Sequence, residues 1–353
     1  KDYATVSLPN EYAFGVVFNF NRQVWNLTNY ATTDEARENT HNAICNANFR
    51  RALRAAFDVN SYLATRSVPE VAKGTVRNMN SIPTLVSTSD GTSYGNLVEA
   101  AYTEMTGETV DLDDGQYPWL NKETALDYIE KAKAEGVVFP VHLDMLCIET
   151  SDGLMRQAQS MKNSIEENTD GQIIIEIVAR DTNTVYNIAY YNEDYKEADY
   201  DISTFTGWGP DYVDPKTFVE IYSPVDGYYM TTCGMTDATN PDFGKDDELK
   251  TALGFYEYER LFREADAIKS DTDARYAAFA KADAYLIEEA LYIPTSQQTR
   301  SLRVSRVVPF TAPFANSGVA KLKYKYMQLT KDGAIVTVEE YNAAQEKWSK
   351  GEK

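Results

Sequence analysis

The chain has 353 residues, with 34 Lys and Arg against 54 Asp and Glu, a formal net charge of −20. That balance excludes nucleic acid as a partner, because phosphate binding needs clustered cations, and it disfavours an anionic membrane surface. Hydrophobic residues, 43% of the chain, supply a substantial core for one large domain or two, and no apolar run approaches the ~18 residues of a spanning helix.

Tyr12 to Asn21 alternates, with Phe14, Val16, Phe18 and Phe20 on one face, and reads as a half-buried strand. Asn48 begins a helix through Phe49, Leu53, Ala56 and Phe57, and Asp58 caps a second over Val59 to Thr65. Residues 66 to 120 carry turn formers and little periodicity, which predicts an irregular excursion holding one helix, Leu97 to Thr106. Asn121 then caps a helix through Ala125, Leu126, Ile129 and Ala132 that Gly136 stops. Val141 to Leu146 is a strand. Ser151 or Asp152 opens a helix carrying Leu154, Ala158, Met161 and Ile165. Ile173 to Val178 is a strand, Thr182 to Tyr190 a helix, and Asp201 to Thr206 a strand. This alternation predicts an α/β domain with a mostly parallel sheet. Helices over Leu249 to Ile268 and Thr272 to Ala290 follow, the second capped by Asp271 or Thr272. Leu291 to Gln297 is a strand leaving the domain, Val307 to Phe314 is extended, Tyr324 to Leu329 is a strand, and Val338 to Lys350 is a final helix.

The most informative stretch is Gly207-Trp208-Gly209-Pro210-Asp211-Tyr212-Val213-Asp214-Pro215. Pro215 suits a first helical position and Asp214 can cap it. Glycines on both sides of Trp208 let another backbone approach closely. The indole offers a flat apolar face, and Asp211, just past the strand end, can receive a positive charge. Such a site takes an extended peptide by its backbone and its free amine. Two bland readings stand beside this one: Asp211 caps the following turn, and Trp208 is an ordinary core residue.

Other features read as structural. Cys45, Cys147 and Cys233 are widely spaced, with no CxxC, and indicate unpaired thiols rather than a disulfide framework or zinc site. The run Asp111-Leu112-Asp113-Asp114-Gly115 fails the EF-hand spacing and reads as a solvated acidic loop. His142 lies in an apolar strand and is a satisfied structural histidine. No cofactor and no metal site is expected. The 25 tyrosines suit surfaces that stack on sugars or peptides, or pack at domain edges.

Taken in order, a set of motifs resembles the oligopeptide-binding proteins of ABC importers, and most closely the lipoproteins of Gram-positive bacteria. They are Val17-Phe18-Asn19-Phe20, Asn48-Phe49-Arg50-Arg51-Ala52-Leu53, Ala55-Ala56-Phe57-Asp58 and Phe139-Pro140-Val141-His142-Leu143-Asp144-Met145. Gln159-Ser160-Met161-Lys162, Gly207-Trp208-Gly209-Pro210-Asp211 and Ala290-Leu291-Tyr292-Ile293-Pro294-Thr295 follow, and Val308-Pro309-Phe310, Pro313-Phe314-Ala315 and Gln345-Glu346-Lys347-Trp348 end the series. No single motif is diagnostic; their shared order is specific.

The resemblance implies an α/β, bilobal, type II periplasmic-binding-protein-like fold. Residues 1–20 would form an inter-lobe crossing strand, 21–290 a near-complete peptide-binding lobe, and 291–353 a return strand and the C-terminal part of the other lobe. The rest of that lobe, the signal sequence and the lipid-anchored cysteine are expected upstream of Lys1. The resemblance assigns ligand binding to Gly207, Trp208, Gly209 and Asp211, with Asp211 holding the ligand's amino terminus. Phe205 departs from the pattern, because some enteric relatives carry Arg there; looser length preference, toward longer peptides, is expected. The implied role is an extracytoplasmic substrate-binding component, monomeric and without catalysis, that delivers oligopeptides to an ABC permease. The alternatives are a peptide-pheromone receptor on the same scaffold and a carbohydrate-active enzyme.

Overall fold

A computed structural model describes residues 2–6, 12–67, 69–72, 74–297, 302–312 and 324–351. Strands β1 (Thr5–Val6) and β2 (Ala13–Phe18) come first. Helices α1 (Asp34–Cys45), α2 (Ala47–Ala56), α3 (Val59–Ala64), α4 (Pro69–Ala72), α5 (Tyr94–Thr106) and α6 (Lys122–Ala134) follow. Next are β3 (Val141–Ile148), α7 (Asp152–Asn168), β4 (Ile173–Arg180), α8 (Thr182–Ala189), β5 (Ile202–Ser203) and β6 (Gly207–Trp208). The chain closes with α9 (Lys216–Val219), α10 (Asp247–Ala252), α11 (Phe255–Ala267), α12 (Thr272–Glu288), β7 (Tyr292–Gln297), β8 (Leu302–Arg303) and α13 (Val338–Ser349).

Short polar side chains set the helix starts. Thr33, Asn46, Asp58, Ser93, Asn121, Ser151, Asp181 and Asp271 each accept a first-turn backbone N–H. Thr337 and Glu340 form a reciprocal capping box on α13. Each such cap stabilises its helix by about 1 kcal/mol.

The main sheet has the order β4-β3-β5-β2-β6, with β7 on the other side of β2. β3 pairs in parallel with β4 and β5, whereas every partner of β2 is antiparallel. The expected mostly parallel sheet is thus mixed: β2 alone is reversed, inserted between β7 and the β5–β6 segment. β5 and β6 are two pieces of one interrupted strand. Val17 faces Ser203 but Phe14 faces Gly207, so one extra residue sits on the β5–β6 side, a bulge. The β2–β7 register also shifts between Phe14 and Gly15. Carbonyls at this break are taken by side chains: Arg77 and Thr295 donate to the Phe14 carbonyl at 2.7 and 3.2 Å, and Thr206 donates to the Gly15 carbonyl at 3.1 Å. Gly15 is required because a Cβ there would overlap the buried Tyr292 ring.

One guanidinium ties the strands together beneath the sheet. Arg22, just past β2, contacts Asp144 of β3 at 2.8 Å, Asp199 at 2.7 Å and Asp201 at 3.0 Å, all buried. Asp144 and Asp201 also exchange hydrogen bonds, since the Asp144 N–H donates to the Asp201 carboxylate at 2.8 Å and the Asp201 N–H to the Asp144 carbonyl at 3.0 Å.

Several elements differ from the sequence expectation. Helix α1 has no strong apolar stripe and is an addition. The single helix expected over Leu249 to Ile268 is broken at Gly254, which adopts φ +83° and meets the Tyr285 hydroxyl where a Cβ would stand. Tyr324 to Leu329 is a turn with Tyr326 at φ 73°, and only Leu329 bridges, to Val307. Pro309–Phe310 also turns rather than extends, while Pro313, Phe314 and Ala315 lie outside the described residues. The excursion over 66 to 120 contains α4 and a longer α5, which packs on α12.

β1 pairs with β8 in a separate two-stranded sheet. The Val338 N–H donates to the Asp2 carbonyl at 2.8 Å, and Phe310 stacks on Trp348 with centroids 5.3 Å apart. Leu302, Val304, Tyr324, Tyr326 and Leu329 are exposed in this smaller unit.

Gly15→Ala is expected to destabilise the fold by at least about 2 kcal/mol through overpacking against Tyr292, measured as a shifted urea midpoint; an unchanged midpoint removes the steric account. A second expectation concerns pH. Burial pushes the Asp201 carboxyl up to about 6 against the pull of Arg22. The unfolded carboxyl titrates near ~3.9, so the native state holds a proton that the unfolded chain has released. The resulting stabilisation is present at acid pH and is lost as pH rises through about 6. Between pH ~4 and ~6.5 the protein should lose about 2–3 kcal/mol more stability than Asp201→Asn. Equal losses in urea unfolding of the two proteins reject the assignment.

Candidate functional site

The segment after the bulge carries the site. β6 pairs with β2 through Ala13–Trp208 and Phe14–Gly207, and its outer edge pairs with nothing among the described residues. The glycines have a steric reason. A Cβ on Gly207 would lie 2.6 Å from Phe14 Cε1, and one on Gly209 2.6 Å from Tyr12 Cε1. Rings from β2 and its approach therefore lie over the glycine backbone.

Trp208 is half-buried between the core and an aromatic surface. Its ring lies 5.4 Å from Tyr228 and 6.4 Å, edge-on, from Tyr229. Its indole Nε1 is buried without a hydrogen-bond partner among the described residues. The core reading of Trp208 describes part of its surface.

Asp211 and Asp214 divide the work of the turn. Asp214 Oδ1 accepts the Lys216 N–H at 2.9 Å and so caps α9, as expected, and its carboxylate also meets Arg275 at 2.8 Å. Asp211 donates its N–H to Thr217 Oγ1 at 3.0 Å. Its exposed carboxylate accepts no hydrogen bond and makes no ion pair among the described residues. The capping alternative for Asp211 is therefore not what the structure shows.

A hollow of ≈ 310 Å³ opens here, bordered by Trp208, Asp211, Lys216, Glu220, Tyr228 and Arg263, among others. Its other charges are engaged. Lys216 pairs with Asp266 at 3.0 Å, and Arg263 with Asp226 at 2.7 Å and Glu259 at 2.6 Å. Burial would raise the Asp266 carboxyl, but hydrogen bonds from Lys216, Lys269 and Arg275 bring it down to about 2. The carboxylate left uncompensated beside the hollow is Asp211. The four residues singled out in the sequence, Gly207, Trp208, Gly209 and Asp211, are thus brought together with an open strand edge. Sequence reasoning missed Tyr12, Tyr228, Lys216 and Arg263, which carry no motif; Tyr12 and Arg263 arrive from distant positions, whereas Lys216 directly follows Pro215.

The other polar candidates have partners within the chain. Asp58 caps α3 through the Ser61 N–H at 2.9 Å. His142 Nδ1 lies 2.7 Å from Glu176 Oε1. Asp111 Oδ1 accepts the N–H groups of Asp113 and Asp114 within its own turn. The cysteines are free thiols, with burial pushing Cys45 and Cys147 up to about 11 and Cys233 to about 12. No helix among the described residues is long and apolar enough to cross a membrane.

Comparison with known proteins gives this geometry a setting. No family model matches the chain. The oligopeptide-binding protein SarA of Streptococcus gordonii is 38% identical, over 99% of this chain and 53% of that protein. The oligopeptide-binding protein AliA of Streptococcus pneumoniae is 36% identical over the same shares, 99% and 53%. The chain spans about half the length of the curated relatives it matches. Among solved structures, the substrate-binding domain of an oligopeptide ABC transporter from Bacillus anthracis superposes with TM-score 0.59 at 18% identity, covering 93% of this chain and 51% of that one. OppA of Listeria monocytogenes bound to peptide gives TM-score 0.56 at 18% identity, covering 93% and 50%. The fold is therefore the α/β fold of type II peptide-binding proteins, over about half of such a chain. The resemblance read from the sequence is borne out: the homologues are oligopeptide-binding proteins, named as binders and not as enzymes.

The division between the two aspartates is testable by urea unfolding. Asp214→Ala loses a cap and a half-buried ion pair and is expected to cost about 1–2 kcal/mol. Asp211→Ala should stay within about 0.5 kcal/mol of the parent. A reversed order contradicts the hydrogen-bond assignment.

Proposed function

We propose that this chain holds the ligand-gripping part of an extracytoplasmic receptor, which captures oligopeptides in extended form and delivers them to the permease of an ABC importer. The observation that carries the reading is the uncompensated Asp211 carboxylate beside the unpaired β6 edge. A free edge adds an extended strand through main-chain hydrogen bonds. A carboxylate beside it receives a peptide's terminal ammonium, in a charge-assisted bond about twice as strong as a neutral one. The open hollow next to Asp211 leaves room for the first side chain.

The domain reading follows the same logic. Residues 21–290 form the peptide-binding lobe, and 1–20 and 291–353 belong to crossings and to the other lobe. In support, β2 and β7 lie hydrogen-bonded side by side, and the small β1–β8 unit exposes apolar residues that a larger partner surface would cover. The whole protein is placed outside the cytoplasm on a lipid anchor, as a monomer with no catalytic chemistry. Peptide binding then favours a closed arrangement of lobes that the permease engages.

The test uses calorimetry on the full product of the gene. Asp211→Ala should weaken binding of a free-amine peptide by about thirtyfold or more. N-acetylation of the peptide should weaken it comparably in the parent and add little in the variant. Unchanged affinity in both comparisons sinks the amino-anchor reading.

A further inference from the structure

Around Phe205, which packs partly against the core, stands a cluster of three tyrosines that the turn does not use. Tyr186, on α8, lies 5.8 Å from Tyr191, 6.1 Å from Tyr190 and 6.3 Å from Phe205. Tyr190 and Tyr191 are 5.1 Å apart, edge to face. Tyr191 is 62% exposed and Tyr186 37%, while Tyr190 and Phe205 are half-buried. Burial, and then the neighbouring phenols of Tyr228, Tyr191, Tyr186 and Tyr12, hold the Tyr190 phenol above its ordinary value. Phe205 ties this cluster to the broken strand, two residues before Gly207. None of the three α8-side tyrosines spends its hydroxyl on a hydrogen bond within the described residues.

Exposed contiguous aromatic area of this kind marks a contact surface. Tyrosine suits recognition because it presents a large, stiff face at low entropic cost. The strand supplies the register. Phe205 lies two residues before Gly207 on the same broken strand, inside the bulge. A peptide whose amino end sits at Asp211 and which runs along the edge toward Phe205 is antiparallel to it. Its side chains alternate at ~3.4 Å per residue. Opposite Gly209 comes its first residue, and opposite Phe205 roughly its fifth.

We propose that Tyr186, Tyr190, Tyr191 and Phe205 form a subsite for one large apolar side chain, aromatic foremost, carried at about the third to fifth position of the bound peptide. The occupant follows from the place of Phe205 on the broken strand and from the chemistry of the four side chains: rings stack on rings edge-on or offset, and Phe and Tyr carry no formal charge to reward a charged side chain. This proposal rests on the peptide-receptor reading above and adds selectivity by position to it.

The experiment is a positional scan on the full gene product. A free-amine polyalanine heptapeptide, made soluble by a C-terminal lysine, carries a single Phe moved through the sequence, and each Kd is measured by calorimetry. Phe at the third to fifth position should bind about tenfold tighter than the all-alanine parent, and Phe elsewhere should not. In Tyr186→Ala/Tyr191→Ala that preference should vanish, so that Phe at the third to fifth position binds no tighter than Phe elsewhere. A retained preference in the double variant, or equal affinity at every position, overturns the subsite and leaves the receptor standing. Failure of every peptide to bind, Phe-bearing or not, overturns the receptor reading and the subsite with it.

Discussion

The candidate site depends on one six-residue strand. Ala13–Phe18 pairs with β5 at one end, with β6 at the other, and with β7 along its opposite edge. Its register cannot be uniform, because the buried Tyr292 ring stands where a side chain on Gly15 would be. The sheet breaks there on both sides, and side chains from Arg77, Thr206 and Thr295 satisfy the carbonyls at the break. A one-residue slip normally moves a whole set of side chains to the other face. Here the slip is confined to the residues between Ser203 and Gly207. Residues 207–211 are thereby released from the alternation of β5, so that Trp208 packs on Tyr228 while Asp211 stays in solvent.

The other end of that segment is held by charge. Arg22 faces three carboxylates, an excess of negative charge that burial alone makes costly. Part of the excess is relieved because burial lets Asp201 keep its proton up to about pH 6. The second oxygen of Asp199 accepts the N–H groups of Asn26 and Leu27 at 2.9 and 3.1 Å. One guanidinium thus fixes the order β3-β5-β2 and the course of the chain leaving β2. Buried ions contribute little net free energy in general; this one specifies which strands are neighbours, and the site inherits that geometry.

The helical part of this fold was legible because its signals are local. Caps at Asp58, Asn121, Ser151 and Asp271 are each readable within four residues, and each is observed. The strand β4 announced itself as a β-branched apolar run, and β3 was read over Val141 to Leu146. The reversal of β2 did not, because strand direction is a property of the partner and not of the alternating pattern. The break at Gly254 needed Tyr285, a residue on another helix. Tyr324 to Leu329 shows the opposite failure: aromatic alternation predicts a strand, but the positive φ of Tyr326 ends it. At the site, the glycine-flanked Trp208 and Asp211 could be found, since close approach and charge are written in residue type. Their surroundings could not, since Tyr12 reaches Gly209 across the sheet and Arg263 arrives from α11.

The geometry also separates two tasks that a peptide receptor must perform. Main-chain hydrogen bonding to an open edge is indifferent to sequence, and so is capture of a terminal ammonium. Selectivity has to come from surfaces that meet side chains, and there the chain places paired ions on one side and rings on the other. Lys216 and Arg263 are already neutralised by Asp266, Asp226 and Glu259, so they exert little pull on a ligand's charge. The cluster around Tyr186 has no such internal partner for its exposed faces. Contact with that cluster gains most for apolar side chains, through area removed from water and ring packing together. In the receptor proposed above, an edge that reads only backbone, joined to a surface that favours one class of side chain, would give broad capture with a positional bias. The spacing between Asp211 and Phe205, along a single broken strand and the turn that follows it, would set that bias.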